Sequence, residues 1–231
     1  MRRVRVFPFV LIAVCVLQTA AVHAQGCVAD QHGGLVCGDG KAAMRVVADT
    51  TSPSKNYAFA WRSEQGLPSG RDVAPSGVDN LLIRISDGAV LAKLGGTYWA
   101  TGDMRANRYD LLAAWSPDSQ AVIEVANSRW DSDSFAYYRI DGATATKLDL
   151  RALVEPVMTA RLPPRNRQGN SFRVREDLPV TLDARGRLRF TAMLYVPKSE
   201  TSNDYKVRVN IRTQGGKPSA LVVSVRRVKS D

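Results

Sequence analysis

Histidine is almost missing from this chain of 231 residues: there are two, His23 and His32, and both fall near the start. A Ser/His/Asp triad or a Cys/His pair needs an imidazole beside its nucleophile, so acyl-transfer chemistry of that type is excluded for nearly the whole chain. Three cysteines do not make up a zinc ligand set in their place. Apolar runs are short as well. The longest, Val6–Leu17, lies below the ~20 residues that a helix needs to cross a bilayer. No glycine loop of the phosphate-binding or dinucleotide type follows a strand and opens a helix. What remains is the composition of an ordinary globular chain, 45% hydrophobic and 23% charged, with one departure: a net charge of +10.

The first twenty-four residues account for part of that charge. Arg2, Arg3 and Arg5 precede the uncharged run, and Val22-His23-Ala24 places small or aliphatic residues before Gln25. This three-part pattern is that of a secretory signal peptide, and it predicts a periplasmic or secreted protein with no membrane span in the mature chain. A retained anchor is the competing reading, and the shortness of the run argues against it. Cleavage removes Cys15 and leaves Cys27 and Cys37, an even pair in an oxidising compartment, for which a structural disulfide is expected. A redox pair usually has a closer spacing, and a metal site built on His32 would need further ligands.

Beyond Gln25, apolar and polar residues alternate over short stretches bounded by Gly, Pro, Asn and Asp, which predicts strands. The candidates are Ala42–Val47, Tyr57–Trp61, Leu81–Ile85, Val90–Leu94, Ala121–Val125, Phe135–Ile140, Phe172–Val174, Arg187–Val196, Tyr205–Arg212 and Ala220–Val228. One short helix is expected near 150–161, where Leu150, Leu153, Val154, Val157 and Met158 recur at helical spacing, with Pro156 inside it.

The chain also repeats itself. Ser52-Pro53-Ser54-Lys55 matches Ser116-Pro117-Asp118-Ser119, and Asp79–Ala89 aligns without gaps on Asp133–Ala143, each copy ending in an Asp-Gly turn. Ser63–Val78 reads as an enlarged loop in the first copy, and a fainter third copy begins at Asp183-Ala184-Arg185-Gly186. Trp115-Ser116-Pro117-Asp118-Ser119-Gln120-Ala121-Val122-Ile123, followed by Asp133–Ile140 and Asp141-Gly142, resembles the blade repeat of TolB-type bacterial β-propellers, over roughly residues 50–150. Ser119 stands where that family usually has Gly, and Ser54 replaces the Asp. The resemblance implies an all-β chain of blade-like antiparallel β-sheets, a partial or small propeller-like stack, in a protein that works by binding.

Charge divides the chain in two. Residues 25–160 carry 13 basic and 16 acidic side chains, whereas 161–231 carry 16 and 6. The expected organisation is therefore a blade-like repeat region over 25–160, carrying the disulfide loop, and a basic antiparallel β region over 161–231, with Pro163–Asn170 between them. Arg185, Arg187 and Arg189, and again Lys206, Arg208 and Arg212, sit at even spacing, while Leu188, Phe190, Val207, Val209 and Ile211 take the other parity. On strands this puts the cations on one face. They form the candidate binding site, for an anionic lipid, an acidic glycan or an acidic protein; nucleic acid is not expected of an exported chain. The competing reading is a solvated face whose charges discourage edge pairing.

No catalytic residue, metal ligand or cofactor is nominated. Asp131-Ser132-Asp133-Ser134 offers oxygen ligands without the glycine and glutamate of a calcium loop, and reads as an inter-strand loop. Trp115, Trp130, Tyr137 and Tyr138 read as packing residues before they read as a groove. Two alternatives to a binding module stay open: a polysaccharide hydrolase using two carboxylates, and a structural envelope component.

Overall fold

A computed structural model describes residues 26–30, 34–68, 77–196 and 200–228. The signal segment, both histidines and the middle of the Ser63–Val78 loop lie outside the described residues. The chain folds as all-β, in three antiparallel sheets with a single α-helix among the described residues. Sheet 1 runs in chain order through β1 (Val28–Ala29), β2 (Leu35–Cys37), β3 (Met44–Val46), β4 (Tyr57–Ser63), β5 (Val78–Arg84) and β6 (Val90–Lys93). A small hairpin, β7 (Ala100–Thr101) and β8 (Met104–Arg105), leads to sheet 2, which comprises β9 (Asp110–Trp115), β10 (Ala121–Asn127), β11 (Ser132–Asp141) and β12 (Thr144–Asp149). After helix α1 (Arg151–Thr159) comes sheet 3. Here β13 (Ser171–Val174) and β14 (Thr181–Leu182) both pair β15 (Arg187–Val196), followed by β16 (Thr201–Gln214) and β17 (Lys217–Arg227).

The internal repeat is a repeat of turn geometry. In the first copy the Ser52 hydroxyl accepts the Tyr57 N–H at 3.1 Å, and Lys55 takes φ 60°. In the second the Ser116 hydroxyl accepts the Ala121 N–H at 2.9 Å, and Ser119 takes φ 60°. Each turn then receives an isoleucine N–H, from Ile85 to the Asn56 carbonyl and from Ile140 to the Gln120 carbonyl. The third copy is one residue shorter: Asp183 Oδ1 accepts the Arg187 N–H, Gly186 holds φ 72°, and Ile211 donates to the Gly186 carbonyl. Lys55, Ser119 and Gly186 take the positive φ in the three turns, and a short oxygen-bearing side chain satisfies the donor that each turn would otherwise orphan. The first two turns touch, the Ser54 N–H donating to the Ser119 hydroxyl at 3.0 Å.

The three sheets stack through two apolar layers. Phe59, Trp61 and Leu82 of sheet 1 meet Val122, Tyr138 and Ile140 of sheet 2. The other face of sheet 2, with Ile123, Val125, Phe135 and Tyr137, meets α1 and the inner face of sheet 3. Phe135 stands 4.7 Å from Phe190 and 6.2 Å from Phe172, ring centre to ring centre. All seven residues of β10 are buried, because neighbouring sheets cover both of its faces. Each large apolar side chain sealed in these layers stabilises the stack by about 1.5–3 kcal/mol. The second layer draws on residues from both sides of Pro163. No closed ring forms among the described residues, so sheets 1 and 3 end the stack.

On the outer side of sheet 1, Cys27 and Cys37 form a disulfide beside Met44, Ala60, Leu81 and Ile83. The helix forms despite Pro156: Asp149 Oδ1 accepts the Ala152 N–H at 3.0 Å, and Leu150, Val154 and Met158 anchor it in the core. Arg151 fastens it further, pairing with Asp131 at 2.8 Å and Glu155 at 2.9 Å.

Candidate functional site

Sheet 3 has one dry face and one charged face. Leu188, Phe190, Ala192 and Leu194 of β15 and Val207, Val209 and Ile211 of β16 are buried. The two-residue period therefore turns Arg187, Arg189, Lys206, Arg208 and Arg212 outward, where all five are exposed. Register then decides what each cation faces. Arg189 stands directly opposite Arg208, and Lys206 directly opposite Arg226. Like charges across a non-covalent rung repel, by a few tenths of a kcal/mol to ~1 kcal/mol each.

These four side chains surround one groove of about 490 Å³, with the Thr191 and Ser224 hydroxyls among its walls; Arg227 also contributes, and no aspartate or glutamate does. Among the described residues, none of the four makes an ion pair. Other cations in and beside sheet 3 are engaged, Arg175 with Asp177 and Asp204 at 2.6 Å each and Arg187 with Asp183 at 2.6 Å. Three guanidinium forks and one ammonium aimed at a common space supply the donors that a phosphate, sulfate or carboxylate accepts in bidentate fashion.

The structure thus brings together three of the six expected cations, Arg189, Lys206 and Arg208, and separates the others. Arg187 is held by Asp183 at 2.6 Å. Arg212 lies further along β16, opposite Ser219. Arg185 is a correction: β15 begins at Arg187, so Arg185 sits in the preceding turn, donating its N–H to Asp183 Oδ1, and not on the strand face. Arg226 was missed by the sequence reading for a physical reason. Ala220 and Val222 pack inward, but a bulge between the rungs Val209–Val222 and Arg208–Ser224 shifts the parity, so that Val225 turns in and Arg226 turns out.

The remaining candidates serve the fold. Asp131 accepts from Arg151 and from the Phe172 N–H, and Asp133 from the Ser128 hydroxyl. Among the described residues no group of three or more His, Cys, Asp or Glu could hold a metal ion, and no helix is long and apolar enough to cross a membrane. The Trp115 indole donates to the Thr50 carbonyl at 2.8 Å and stacks on Tyr57, tying sheet 2 to sheet 1. Tyr137 and Tyr138 are buried, while Trp130 is exposed, stacked on Tyr195 with Arg129 above its ring.

Two carboxylates do approach one another, Asp110 and Glu176, but Arg173 hydrogen-bonds both. Burial pushes the Glu176 carboxyl up, yet the Arg173 bond and charge outweigh it and hold the group below the usual range. It is therefore not poised as a protonated general acid. Glu124 is the one carboxyl among the described residues that burial pushes upward overall, and its two oxygens are occupied by the Gly95 N–H at 2.5 Å, the Tyr138 hydroxyl at 2.9 Å and the Ser134 hydroxyl at 3.0 Å. A Cβ at Gly95 would fall 2.3 Å from that of Ser134, so only glycine admits this contact.

No family model and no curated protein matches this chain.

Proposed function

We propose that this is an exported, non-enzymatic binding module of the cell envelope, which holds an anionic ligand in the groove on the outer face of sheet 3. The observation that carries this reading is the pair of like-charged rungs, Arg189 opposite Arg208 and Lys206 opposite Arg226, around a groove without an acid. A merely solvated face gains nothing by placing cations directly opposite one another, when Arg62 of sheet 1 is set opposite Asp79. The amino-terminal Arg-rich and apolar segment supports export, and the disulfide suits an oxidising compartment. The Ser-Pro turn built twice on one pattern supports kinship with TolB-type blades, whose sheets serve as binding scaffolds.

The test is retention on an immobilised sulfated polyanion under a salt gradient. Arg189→Glu with Arg208→Glu should elute at markedly lower salt, while thermal unfolding stays unchanged because both side chains are exposed. Equal elution of the variant and the parent would overturn the reading.

A further inference from the structure

The groove shares its face with two aliphatic side chains. Leu221 and Val223 of β17 are 69% and 52% exposed. Leu221 stands opposite Asn210, which stands opposite Arg187, so it projects from the same face as the cations. Val223 is the extra residue of the bulge, between Val222, opposite Val209, and Ser224, opposite Arg208. The irregularity that carries Arg226 to the groove thus also presents Val223 beside it.

Different anions would use this face differently. A sulfated or uronic glycan engages the cations and leaves the aliphatics in water. A second copy docking isologously would bring four unpaired cations against four others, which charge repulsion opposes. A bilayer carrying anionic headgroups complements both features at once: phosphates for the groove, and an apolar boundary a few ångströms deeper for the aliphatic pair. Resting on the proposed function, we infer that the outer face of sheet 3 docks on an anionic phospholipid bilayer, with headgroup phosphate in the groove and Leu221 and Val223 entering the boundary between headgroups and chains.

The test measures the purified protein against two probes: vesicles of phosphatidylcholine, alone or mixed equally with phosphatidylglycerol, by co-sedimentation, and soluble inorganic polyphosphate by titration. The parent should bind the mixed vesicles and the polyphosphate, and leave pure phosphatidylcholine in the supernatant. Leu221→Asn with Val223→Asn should lose roughly tenfold in affinity for the mixed vesicles and keep its polyphosphate affinity. Arg189→Glu with Arg208→Glu should lose roughly tenfold or more on both probes, since each headgroup-facing cation contributes about fivefold. Polyphosphate binding without vesicle binding, or vesicle binding indifferent to the aliphatic pair, would overturn the bilayer assignment and leave the anion-binding reading standing. Binding to neither probe would overturn both.

Discussion

Arg62, half-buried, and Arg189, exposed, each sit between two buried neighbours on a strand, yet they meet opposite fates. Arg62 faces Asp79 across the β4–β5 pair, and Lys93 reaches the same carboxylate. Arg189 faces Arg208 across the β15–β16 pair, and Lys206 faces Arg226 across the β16–β17 pair. Cross-strand pairing is the cheapest way to neutralise a charge on a sheet, and sheet 1 uses it. On the outer face of sheet 3, Arg189, Arg208, Lys206 and Arg226 have no such carboxylate partner among the described residues. The proposed anion site rests on that difference.

Perturbing the two sheets separately breaks this comparison if it is wrong, and the largest effect is expected in sheet 1. Reducing Cys27–Cys37 frees a loop of about ten residues and should destabilise the protein by about 2–3 kcal/mol, read from denaturant midpoints with and without reductant. Polyanion retention under folded conditions should not move, since the bond lies on the outer side of sheet 1 and the groove on sheet 3. A coupled loss of retention would show that the two faces are not independent.

Next in size is a change of sign. Arg189→Asp opposite Arg208 recreates in sheet 3 the rung that sheet 1 has in Arg62 and Asp79. Anion affinity should fall roughly tenfold, while thermal stability holds or rises, by up to ~0.5 kcal/mol, as repulsion becomes attraction. A variant less stable than the parent would mean that Arg189 has a structural partner. Conversely, Asp79→Asn removes the anion shared by Arg62 and Lys93 and should cost about 0.5 kcal/mol, discounted for the exposure of both cations. The Lys93 hydrogen bond leads in holding the Asp79 carboxyl below its usual 3.8, so this contribution is present at neutral pH and fades as pH falls through that region. The parent should lose stability there more steeply than Asp79→Asn.

How far the sequence foretold this arrangement depends on what lies on each side of a strand. Where one face is wet, as in β15 and β16, the period of two is visible in the residues, and Arg187–Val196 is a strand with the bounds expected of it. Where a strand gives apolar side chains to both layers, the alternation vanishes: β9, Asp110-Leu111-Leu112-Ala113-Ala114-Trp115, does so and was not expected as a strand. The repeat was legible because its turns reuse particular residues, an oxygen-bearing cap followed by proline at Ser52 and Ser116 and an Asp-Gly pair at Asp87 and Asp141. The site was half legible. Parity grouped Arg189, Lys206 and Arg208, but it could not group them with Arg226, because a bulge is set by pairing with the neighbouring strand and leaves no mark in β17 read alone.

Glu124 extends the comparison to a third way of treating charge. It is neither paired with a cation nor left for a ligand: sheet 2 buries it completely and surrounds it with three neutral donors, the Gly95 N–H and the hydroxyls of Ser134 and Tyr138. Burial is the leading influence and pushes its carboxyl above the usual 4.5, with Lys147 and the three donors pulling the other way. In the window between 4.5 and the raised value, the folded state holds a proton that the unfolded chain has released, so stability falls as pH rises through it. Glu124→Gln keeps a carbonyl oxygen for the Gly95 N–H and leaves two rotatable hydroxyls able to accept from the amide, so at neutral pH the change should stay within about 1 kcal/mol. Its signature lies in the slope. Above the usual 4.5 the variant's unfolding midpoint should vary less with pH than the parent's, while the acid limb, which belongs to depressed carboxylates such as Asp79 and Asp118, should be unaltered. Parallel curves across the whole range would mean that Glu124 is as solvated as the surface acids, and that sheet 2 handles charge no differently from sheet 1.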